Sequence, residues 1–456
     1  MIFWPNGKDG EDYAWSLNLE ICFPPRLSIS SADHFHRCLG LGSCSQGFKL
    51  RGSVLMNEIE SLNTPQSEGY VYVRERAAME TLIQRVDGAE RVALDTEADS
   101  LHNYFEKVCL VQLSLGGEHY VVDPLAALDL SGFLEALAEK PLILHGGDYD
   151  LRMMRASMGF RPRRDVFDTM IAAQLLGIEQ IGLAALIERF FNITLGKEGQ
   201  KSDWSRRPLS EKQLRYAVND TRFLEPLADR LRGELGERGR VDWHRESCRA
   251  MVESSGRDHA RDPEDAWRIT GAGRLTRRQL AYLRELWCWR DQHARSANLP
   301  PFKVFGNQQI LELLQWAESH PGAPLHEGPK LPRNIVGTRL KTLEEAIIRA
   351  AGMDQTQWPE VRRHDRDAAR NDCSEQINAL RAECARIAKE LGIAASTLAP
   401  RAAVEAIVRS RPLTLDEIME KGRLLRWQAE LVQGAVEKCL QQSGEVSPGV
   451  GRSGTA

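Results

Sequence analysis

Apolar and polar positions alternate or run together in short stretches from about residue 70 onward, and these stretches predict strands interleaved with helices. Gly116 and Gly117 lie between two apolar runs, which is typical of a β-hairpin. In chain order the segments are YVYVRERAAMETLIQRV (70–86), a strand and a helix; RVALDTEA (91–98), a buried strand; KVCLVQLSLGGEHYVVDP (107–124), the hairpin; PLILHGG (141–147), a strand; DYDLRMMRASMG (148–159), a helix; and DVFDTMIAAQLLG (165–177), a strand and a helix. This order predicts a mixed α/β sheet with helices on its faces.

The pattern changes after about residue 250, where strand signals stop and amphipathic helical periodicity takes over. We predict an α/β domain over residues 67–245 and two small all-α domains over 270–350 and 372–442, joined by segments rich in Pro, Gly and charge. Residues 1–66 lack sustained periodicity, so we expect a disordered leader or a start assigned upstream of Met56. Residues 443–456 are expected to form a disordered tail.

Composition narrows the class of protein. The chain has 456 residues, of which 42% are hydrophobic, so ordinary globular cores are expected. Its 60 lysines and arginines against 64 acidic residues give a net charge of −4, so any nucleic-acid binding must come from local patches. The nine cysteines contain no CxxC pair, which argues against a disulfide scaffold or a zinc ribbon. No apolar run reaches the roughly 18 residues of a membrane helix, so we expect a cytoplasmic protein with no membrane partner.

Acidic side chains at two predicted strand ends are the first candidates for chemistry. Asp95 and Glu97 are two apart, so strand alternation places both carboxylates on one side of the sheet. Asp150 opens a helix just after a strand, and Asp148 is its rival at that position. A solvated strand end and a helix N-terminus with acidic residues are the structural alternatives.

Tyr216 and Asp220 are four apart in a predicted helix and therefore share one face. A tyrosine at such a position is usually part of the core. Two further residues have structural interpretations: we expect Asp168 to cap a helix, with a supporting role in the site as the alternative, and His145 to be packed and hydrogen-bonded rather than a ligand.

Three motifs together carry a family resemblance. LDTEAD, HGGDYDL and YAVND resemble, in order and spacing, the motifs of the DEDDy family of 3′-to-5′ exonucleases. The flanks FDTMIAAQLLG and KSDWSRRPLSEKQLRYAVNDTRFL are most similar to the bacterial ribonuclease D family. LRELWCWRD and PPFKVF resemble an HRDC domain, and residues 375–440 resemble a more diverged second copy. The resemblance implies a ribonuclease H-like exonuclease domain followed by two HRDC-like domains.

The same resemblance implies the site. Asp95, Glu97, Asp150 and Asp220 would hold two divalent ions, Mg²⁺ or Mn²⁺, and Tyr216 would orient the attacking water. An all-carboxylate set without His or Cys independently favours these hard cations over zinc. The implied reaction is hydrolysis of the terminal phosphodiester, which releases nucleoside 5′-monophosphates.

The implied substrate is RNA with a free 3′ end, such as transfer RNA precursors. The acids alone do not distinguish ribose from deoxyribose, so a DNA exonuclease of repair stays open, as does a non-catalytic RNA-binding protein. A polar loop before the Tyr216 helix contains candidate substrate contacts, with a solvated loop as the alternative: Lys201, Trp204, Arg206 and Arg207. In the helical region Trp287, Trp289, Phe302 and Phe305 are expected to be core anchors.

Overall fold

The computed structural model describes residues 69–196, 199, 202–257, 264–361 and 373–441. The predicted leader (1–66), the predicted tail (443–456) and Lys201 lie outside these residues. The predicted domain limits 67–245, 270–350 and 372–442 remain predictions.

A six-stranded mixed sheet in the order β1-β4-β3-β2-β5-β6 forms the centre of the N-terminal domain. The strands are β1 (Tyr70–Val73), β2 (Val92–Ala98), β3 (Val108–Leu115), β4 (Glu118–Val122), β5 (Leu142–Leu144) and β6 (Val166–Asp168). β2, β3 and β4 pair antiparallel, while β1 joins β4, β5 joins β2 and β6 joins β5 in parallel. The β3–β4 turn has positive φ at both glycines, Gly116 at 55° and Gly117 at 82°, as a tight hairpin requires. The predicted mixed sheet is confirmed.

Helices cover both faces of this sheet. They are α1 (Arg76–Gly88), α2 (Ser131–Ala138), α3 (Asp148–Met158), α4 (Thr169–Leu175), α5 (Leu183–Phe191), α6 (Glu211–Arg222), α7 (Leu224–Glu237) and α8 (Val241–Ser255). On one face, Leu94 of β2 and Leu113 of β3 belong to a core shared with α1, α2 and α3. On the other face, Leu110 of β3 packs with Leu214 and Val218 of α6. The strand alternation therefore presents Ala93, Asp95 and Glu97 of β2 to α6.

The C-terminal region is entirely helical over the described residues 264–361 and 373–441. A first set comprises α9 (Arg277–Ser296), α10 (Pro301–Val304), α11 (Asn307–Ser319) and α12 (Thr338–Ala351), and a second set comprises α13 (Ser374–Leu391), α14 (Ala395–Leu398), α15 (Arg401–Ser410), α16 (Leu415–Gly422) and α17 (Arg426–Gln441). Trp289 and Phe305 are buried in the first core and Trp287 packs against it, as predicted. Phe302 is 57% exposed, so the prediction of a core anchor there is wrong. No helix of the described residues is both long and apolar enough to cross a membrane.

Two aromatic rings join the second helical set to the N-terminal domain. Trp243 of α8 stacks on Trp427 of α17, with 4.8 Å between ring centroids and 13° between ring planes. The Glu246 carboxylate of α8 accepts hydrogen bonds from the backbone N–H groups of Arg426 and Trp427. A side chain of one domain thus satisfies the free N–H groups at the start of α17.

Candidate active site

The C-terminal end of β2 carries the first two candidate acids. In the β2–β3 ladder Asp95 lies opposite Gln112 and Glu97 opposite Leu110, and the pairing is irregular between Glu97 and Ala98. Such an irregularity bends a strand and is frequent next to functional sites. Because residues two apart share a face, both carboxylates point to the side of the sheet that α6 covers.

Helix α6 supplies the next two candidates. It begins with a capping box in which Ser210 and Gln213 each bond the backbone N–H of the other. Tyr216 and Asp220 follow one turn apart on this anchored helix. Carboxylate oxygens of Asp95, Glu97 and Asp220 lie within 4.8 Å of one another. Residues far apart in the chain thus form one acidic cluster.

Asp150 is held next to this cluster by β2 itself. Its Oδ1 accepts hydrogen bonds from the backbone N–H of Thr96, at 3.1 Å, and from the Thr96 hydroxyl, at 2.5 Å. Thr96 stands between Asp95 and Glu97 and faces the opposite side of the sheet. The same strand therefore presents two acids on one face and fixes a third from the other.

The rival acid Asp148 is placed elsewhere. Its carboxylate pairs with Arg152 on the surface of α3, at 2.9 Å, and both side chains are well exposed. Gly147, not Asp148, occupies the N-cap position of α3. A Cβ at residue 147 would lie 2.7 Å from the Leu144 side chain, so this position favours glycine. The preference for Asp150 over Asp148 agrees with this arrangement.

Asp168 supports the start of two helices. Its Oδ1 accepts from the backbone N–H groups of Met170 and Ile171, which confirms the predicted cap of α4. Its Oδ2 accepts from the Gly147 N–H at 2.8 Å, which ties α4 to the start of α3. His145 is packed beside them, with Nδ1 2.9 Å from the Thr169 hydroxyl. Both residues have the structural surroundings that were predicted.

Burial and mutual repulsion dominate the electrostatics of the cluster. Burial, and then the charges of Asp150, Asp220 and Glu97, raise the pKa of Asp95 well above its usual range. Burial, followed by the charges of Asp220 and Asp150, raises the pKa of Glu97 to about 9. Over the described residues, no arginine or lysine forms an ion pair with any of these four carboxylates. Without a cation, the cluster therefore keeps protons at neutral pH that ordinary carboxylates would release.

Hydrogen bonds oppose this effect at two of the acids. Burial raises the pKa of Asp220 to about 7, although the Tyr216 hydroxyl donates to this carboxylate and favours its charged form. Burial raises the pKa of Asp150 to about 6, against the hydrogen bonds from Thr96. Burial first and then the charge of Asp220 raise the pKa of Tyr216 above its usual range, so its hydroxyl stays protonated at neutral pH.

The cluster meets the requirements of a hard divalent cation. Its donors are carboxylate oxygens, three of which are already close enough to share one ion. A cation would also remove the repulsion that raises these pKa values, so binding and deprotonation are linked. The acidic cluster can therefore hold divalent metal.

Thr96→Val is expected to weaken divalent-metal binding about tenfold, because ligands that lose an outer hydrogen bond bind less well. Valine keeps the branched shape but removes the hydroxyl, so residue 96 can bond Asp150 only through its backbone N–H. Isothermal titration with Mn²⁺ measures the affinity. Thr81→Val is the matched control, because its hydroxyl bonds Ala77 on the exposed side of α1. Equal affinities of the two variants would contradict the role given to Thr96.

Trp204 requires a correction. The sequence predicted a substrate contact, with a solvated loop as the alternative, whereas the indole is 1% exposed and packs with Leu110, Val121 and Ala217. Its ring lies 6.1 Å from that of Tyr216, centroid to centroid. Trp204 therefore supports the helix that carries Tyr216, and its surface is closed to substrate.

Arg207 is likewise occupied within the protein. Its guanidinium forms two hydrogen bonds with the Asp123 carboxylate, both at 2.6 Å, and donates to the Cys109 carbonyl. The prediction of a substrate contact there is corrected to an internal ion pair. Arg206 is different, because its side chain is 84% exposed and pairs only with Asp203 over the described residues.

The sequence analysis missed two neighbours of the acids. Thr96 gave no signal beyond its place between Asp95 and Glu97. Gln112 is fully buried opposite Asp95, and neither polar atom of its amide has a hydrogen-bond partner within the described residues. The register of the predicted hairpin could have identified it as the one amide in an apolar strand.

Comparisons with known proteins agree with this geometry. Residues 70–236 match the family described as 3′-5′ exonuclease, and residues 279–321 match the HRDC domain family. The fold and the acidic cluster thus define an exonuclease domain followed by a helical region that contains an HRDC domain.

Individual relatives show which family of 3′-5′ exonucleases the chain resembles. Ribonuclease D of Pseudomonas paraeruginosa is 31% identical over 323 residues, which cover 70% of this chain and 84% of that protein. Ribonuclease D of Zymomonas mobilis is 33% identical over 53% of this chain, and the match spans 62% of that protein's length. The structure of Escherichia coli RNase D superposes with a TM-score of 0.63 at 27% identity, over 82% of this chain and 99% of that one. The chain belongs to the ribonuclease D family.

Proposed function

We propose that this protein is a metal-dependent 3′-to-5′ exoribonuclease that releases nucleoside 5′-monophosphates from RNA with a free 3′ end. The observation that carries the proposal is the convergence of Asp95, Glu97 and Asp220, with Asp150 beside them, inside the segment that matches 3′-5′ exonucleases. A domain of this kind that had lost its activity would be expected to lack one of these acids, and all four are present.

The cofactors in this proposal are two divalent cations, Mg²⁺ or Mn²⁺, held by the four acids. When bound, such ions lower the pKa of water and neutralise charge on the leaving 3′ oxygen. The protein's own residues fix the positions of the acids that would hold these ions. Asp95 and Glu97 are fixed by the β2–β3 ladder, and Thr96 fixes Asp150, so little reorganisation is needed when substrate arrives.

Tyr216 acts in this scheme as a hydrogen-bond donor. A hydroxyl whose pKa lies above its usual range does not lose its proton at neutral pH, so a role as a general base is disfavoured. The hydroxyl instead keeps its proton and donates a hydrogen bond to the Asp220 carboxylate. In this position it would orient the attacking water beside that carboxylate.

RNA processing is the favoured context. The similar Escherichia coli protein is described as an exoribonuclease involved in structured RNA processing. Transfer RNA precursors with a 3′ trailer are the substrates we propose, with the cytoplasm as the location. Arg206, exposed in the loop before α6, is the residue of that loop we propose to contact the RNA backbone.

A time course on matched 5′-labelled single-stranded RNA and DNA tests the function. We expect a ladder that shortens from the 3′ end of RNA in Mg²⁺ or Mn²⁺, and no cleavage in EDTA. Equal cleavage of DNA would support a repair exonuclease instead. Binding of RNA without cleavage in any metal would support a non-catalytic RNA-binding protein.

Tyr216→Phe is expected to lower kcat about 10²-fold with KM changed less than about twofold, because a positioned proton donor acts mainly in the transition state. Loss of the hydrogen bond also raises the pKa of Asp220, so the rise of activity with pH should move to higher pH. Single-turnover kinetics across pH measures both effects. Tyr72→Phe is the control, since its hydroxyl donates to Asp123 at 2.6 Å, outside the cluster. A kcat for Tyr216→Phe equal to that of the control would contradict the assignment.

A further inference from the structure

The loop of residues 99–107 joins β2 to β3 and begins two residues after Glu97. Asp99, which is fully buried, organises this loop. Its carboxylate accepts from the Lys107 backbone N–H at 2.9 Å, from the Lys107 ammonium at 2.6 Å and from the Asn103 amide at 2.7 Å. The loop and the end of β2 are therefore one hydrogen-bonded unit.

Asn298, just after the end of α9, binds this loop from the first helical set. Its side-chain Oδ1 accepts from the backbone N–H groups of Tyr104 and Phe105, both at 3.1 Å. Its Nδ2 donates to the Asn103 side-chain oxygen at 3.0 Å. The amide thus forms three hydrogen bonds with three consecutive loop residues. We call this arrangement the Asn298 clamp.

The clamp connects to the acidic cluster through a short chain of side chains. Asn298 bonds Asn103, and Asn103 bonds Asp99, which stands two residues from Glu97. Additional contacts hold the same loop against α9. The Tyr104 hydroxyl donates to Asp291 at 2.8 Å, and the guanidinium of Arg295 lies over the Tyr104 ring at 5.7 Å from its centroid.

The residue at position 298 must satisfy two separate structural requirements. The backbone is left-handed there, with φ of 47°, a conformation that asparagine and glycine tolerate best. The side chain must also offer an acceptor and a donor at once, which the carboxamide does and a carboxylate does not. Glycine would satisfy the backbone requirement but could not form the side-chain hydrogen bonds, so substitution can separate the two requirements.

We propose that Asn298 is a positioning residue for the acidic cluster, acting through the 99–107 loop to hold the end of β2 in its functional geometry. The first helical set then contributes to the chemical step as well as to any RNA binding. The proposal rests on the proposed nuclease function for its kinetic readout, while its structural readouts are independent of that function.

The experiment uses the full chain and three variants. Asn298→Gly keeps the left-handed backbone conformation at residue 298 but removes the hydrogen bonds of the Asn298 clamp. Asn298→Asp keeps the side-chain acceptors but loses the donor. Asn192→Gly is the matched control, because Asn192 ends α5 with φ of 57° and is far from this loop in sequence. Each protein is measured by hydrogen exchange without metal, by Mn²⁺ titration calorimetry, and by kcat and KM on 5′-labelled RNA.

For Asn298→Gly we expect exchange in residues 103–105 to accelerate about tenfold, Mn²⁺ affinity to fall at least about threefold, and kcat to fall about tenfold with KM within about twofold of wild type. Asn298→Asp should restore part of kcat. A raised KM with unchanged kcat would mean that the helical set only binds RNA, and it would overturn the proposal. So would exchange and Mn²⁺ affinity equal to those of Asn192→Gly. If wild type fails to hydrolyse RNA, the proposed function falls, and exchange and Mn²⁺ affinity decide the role of Asn298.

Discussion

Asp95→Asn is expected to lower hydrolysis of single-stranded RNA by at least about 10³-fold in saturating Mg²⁺. Asparagine keeps one oxygen but loses the charge at a residue whose carboxylate lies within 4.8 Å of those of Glu97 and Asp220 in the acidic cluster. Metal-assisted charge stabilisation contributes several kcal/mol, and each 1.36 kcal/mol corresponds to tenfold in rate. Initial rates on 5′-labelled RNA measure the loss. Normal Mg²⁺-dependent activity of the variant would refute the assignment of this site.

The same substitution should make the metal-free protein more stable. Because the folded-state pKa values of Glu97 and Asp220 are raised, to about 9 and about 7, the folded state holds protons that the unfolded state releases. Stability of the wild type in EDTA should therefore fall as pH rises from about 6 to about 9. Asp95→Asn removes one repelling carboxylate, so its Tm should be higher and less dependent on pH in that interval.

Asp148→Asn is the control for both measurements. It removes an acid of the same kind from the first turn of α3, where the side chain is exposed and pairs with Arg152. An exposed pair contributes little, about 0–1 kcal/mol, and this acid lies outside the cluster. Activity and the pH dependence of Tm should stay near those of wild type. A Tm for Asp95→Asn below that of this control would contradict the expected repulsion.

Arg207→Met is expected to destabilise the fold by about 3 kcal/mol, because it leaves the Asp123 carboxylate buried without its cation. The Asp123 side chain is 5% exposed and that of Arg207 is 26% exposed, so water compensates little. Urea unfolding at pH 7 measures the change. Arg206→Met is the matched neighbour, with an 84% exposed side chain, and should change stability by less than about 0.5 kcal/mol.

The destabilisation by Arg207→Met should shrink in acid. Burial opposes the charged form of Asp123, but the hydrogen bonds from Arg207 and Tyr72 outweigh it and hold the pKa of Asp123 below its usual range. The stability that this carboxylate contributes is therefore present above about pH 3.9 and is lost as pH falls through the folded-state pKa. A difference between variant and wild type that stays constant from pH 7 to pH 3 would contradict an ion-pair origin.

The fold and the acids of the site could be predicted because local patterns determine them. Strand alternation places Asp95 and Glu97 on one face, and helical spacing places Tyr216 and Asp220 one turn apart. Both relations hold within a few residues of chain. The family motifs then joined these local pairs to Asp150, which no local pattern connects to them.

The substrate loop could not be predicted in the same way. Polar and basic residues around position 204 indicated a solvated segment. The tertiary structure instead buries Trp204 against α6 and pairs Arg207 with Asp123. Composition reports average exposure, whereas burial of one ring depends on elements that are distant in the chain. Phe302 shows the converse, since this aromatic residue between two predicted helices was assigned to a core that it does not enter.

The stacked indoles of Trp243 and Trp427 provide this protein with an internal optical probe. Two transition dipoles 4.8 Å apart in nearly parallel rings couple, and their circular dichroism and fluorescence differ from those of isolated tryptophans. Trp243 belongs to α8 and Trp427 to α17, so the pair forms only when the second helical set packs against the N-terminal domain. The spectral signal therefore reports the packing of these two parts of the protein against each other, and it can be followed without any label.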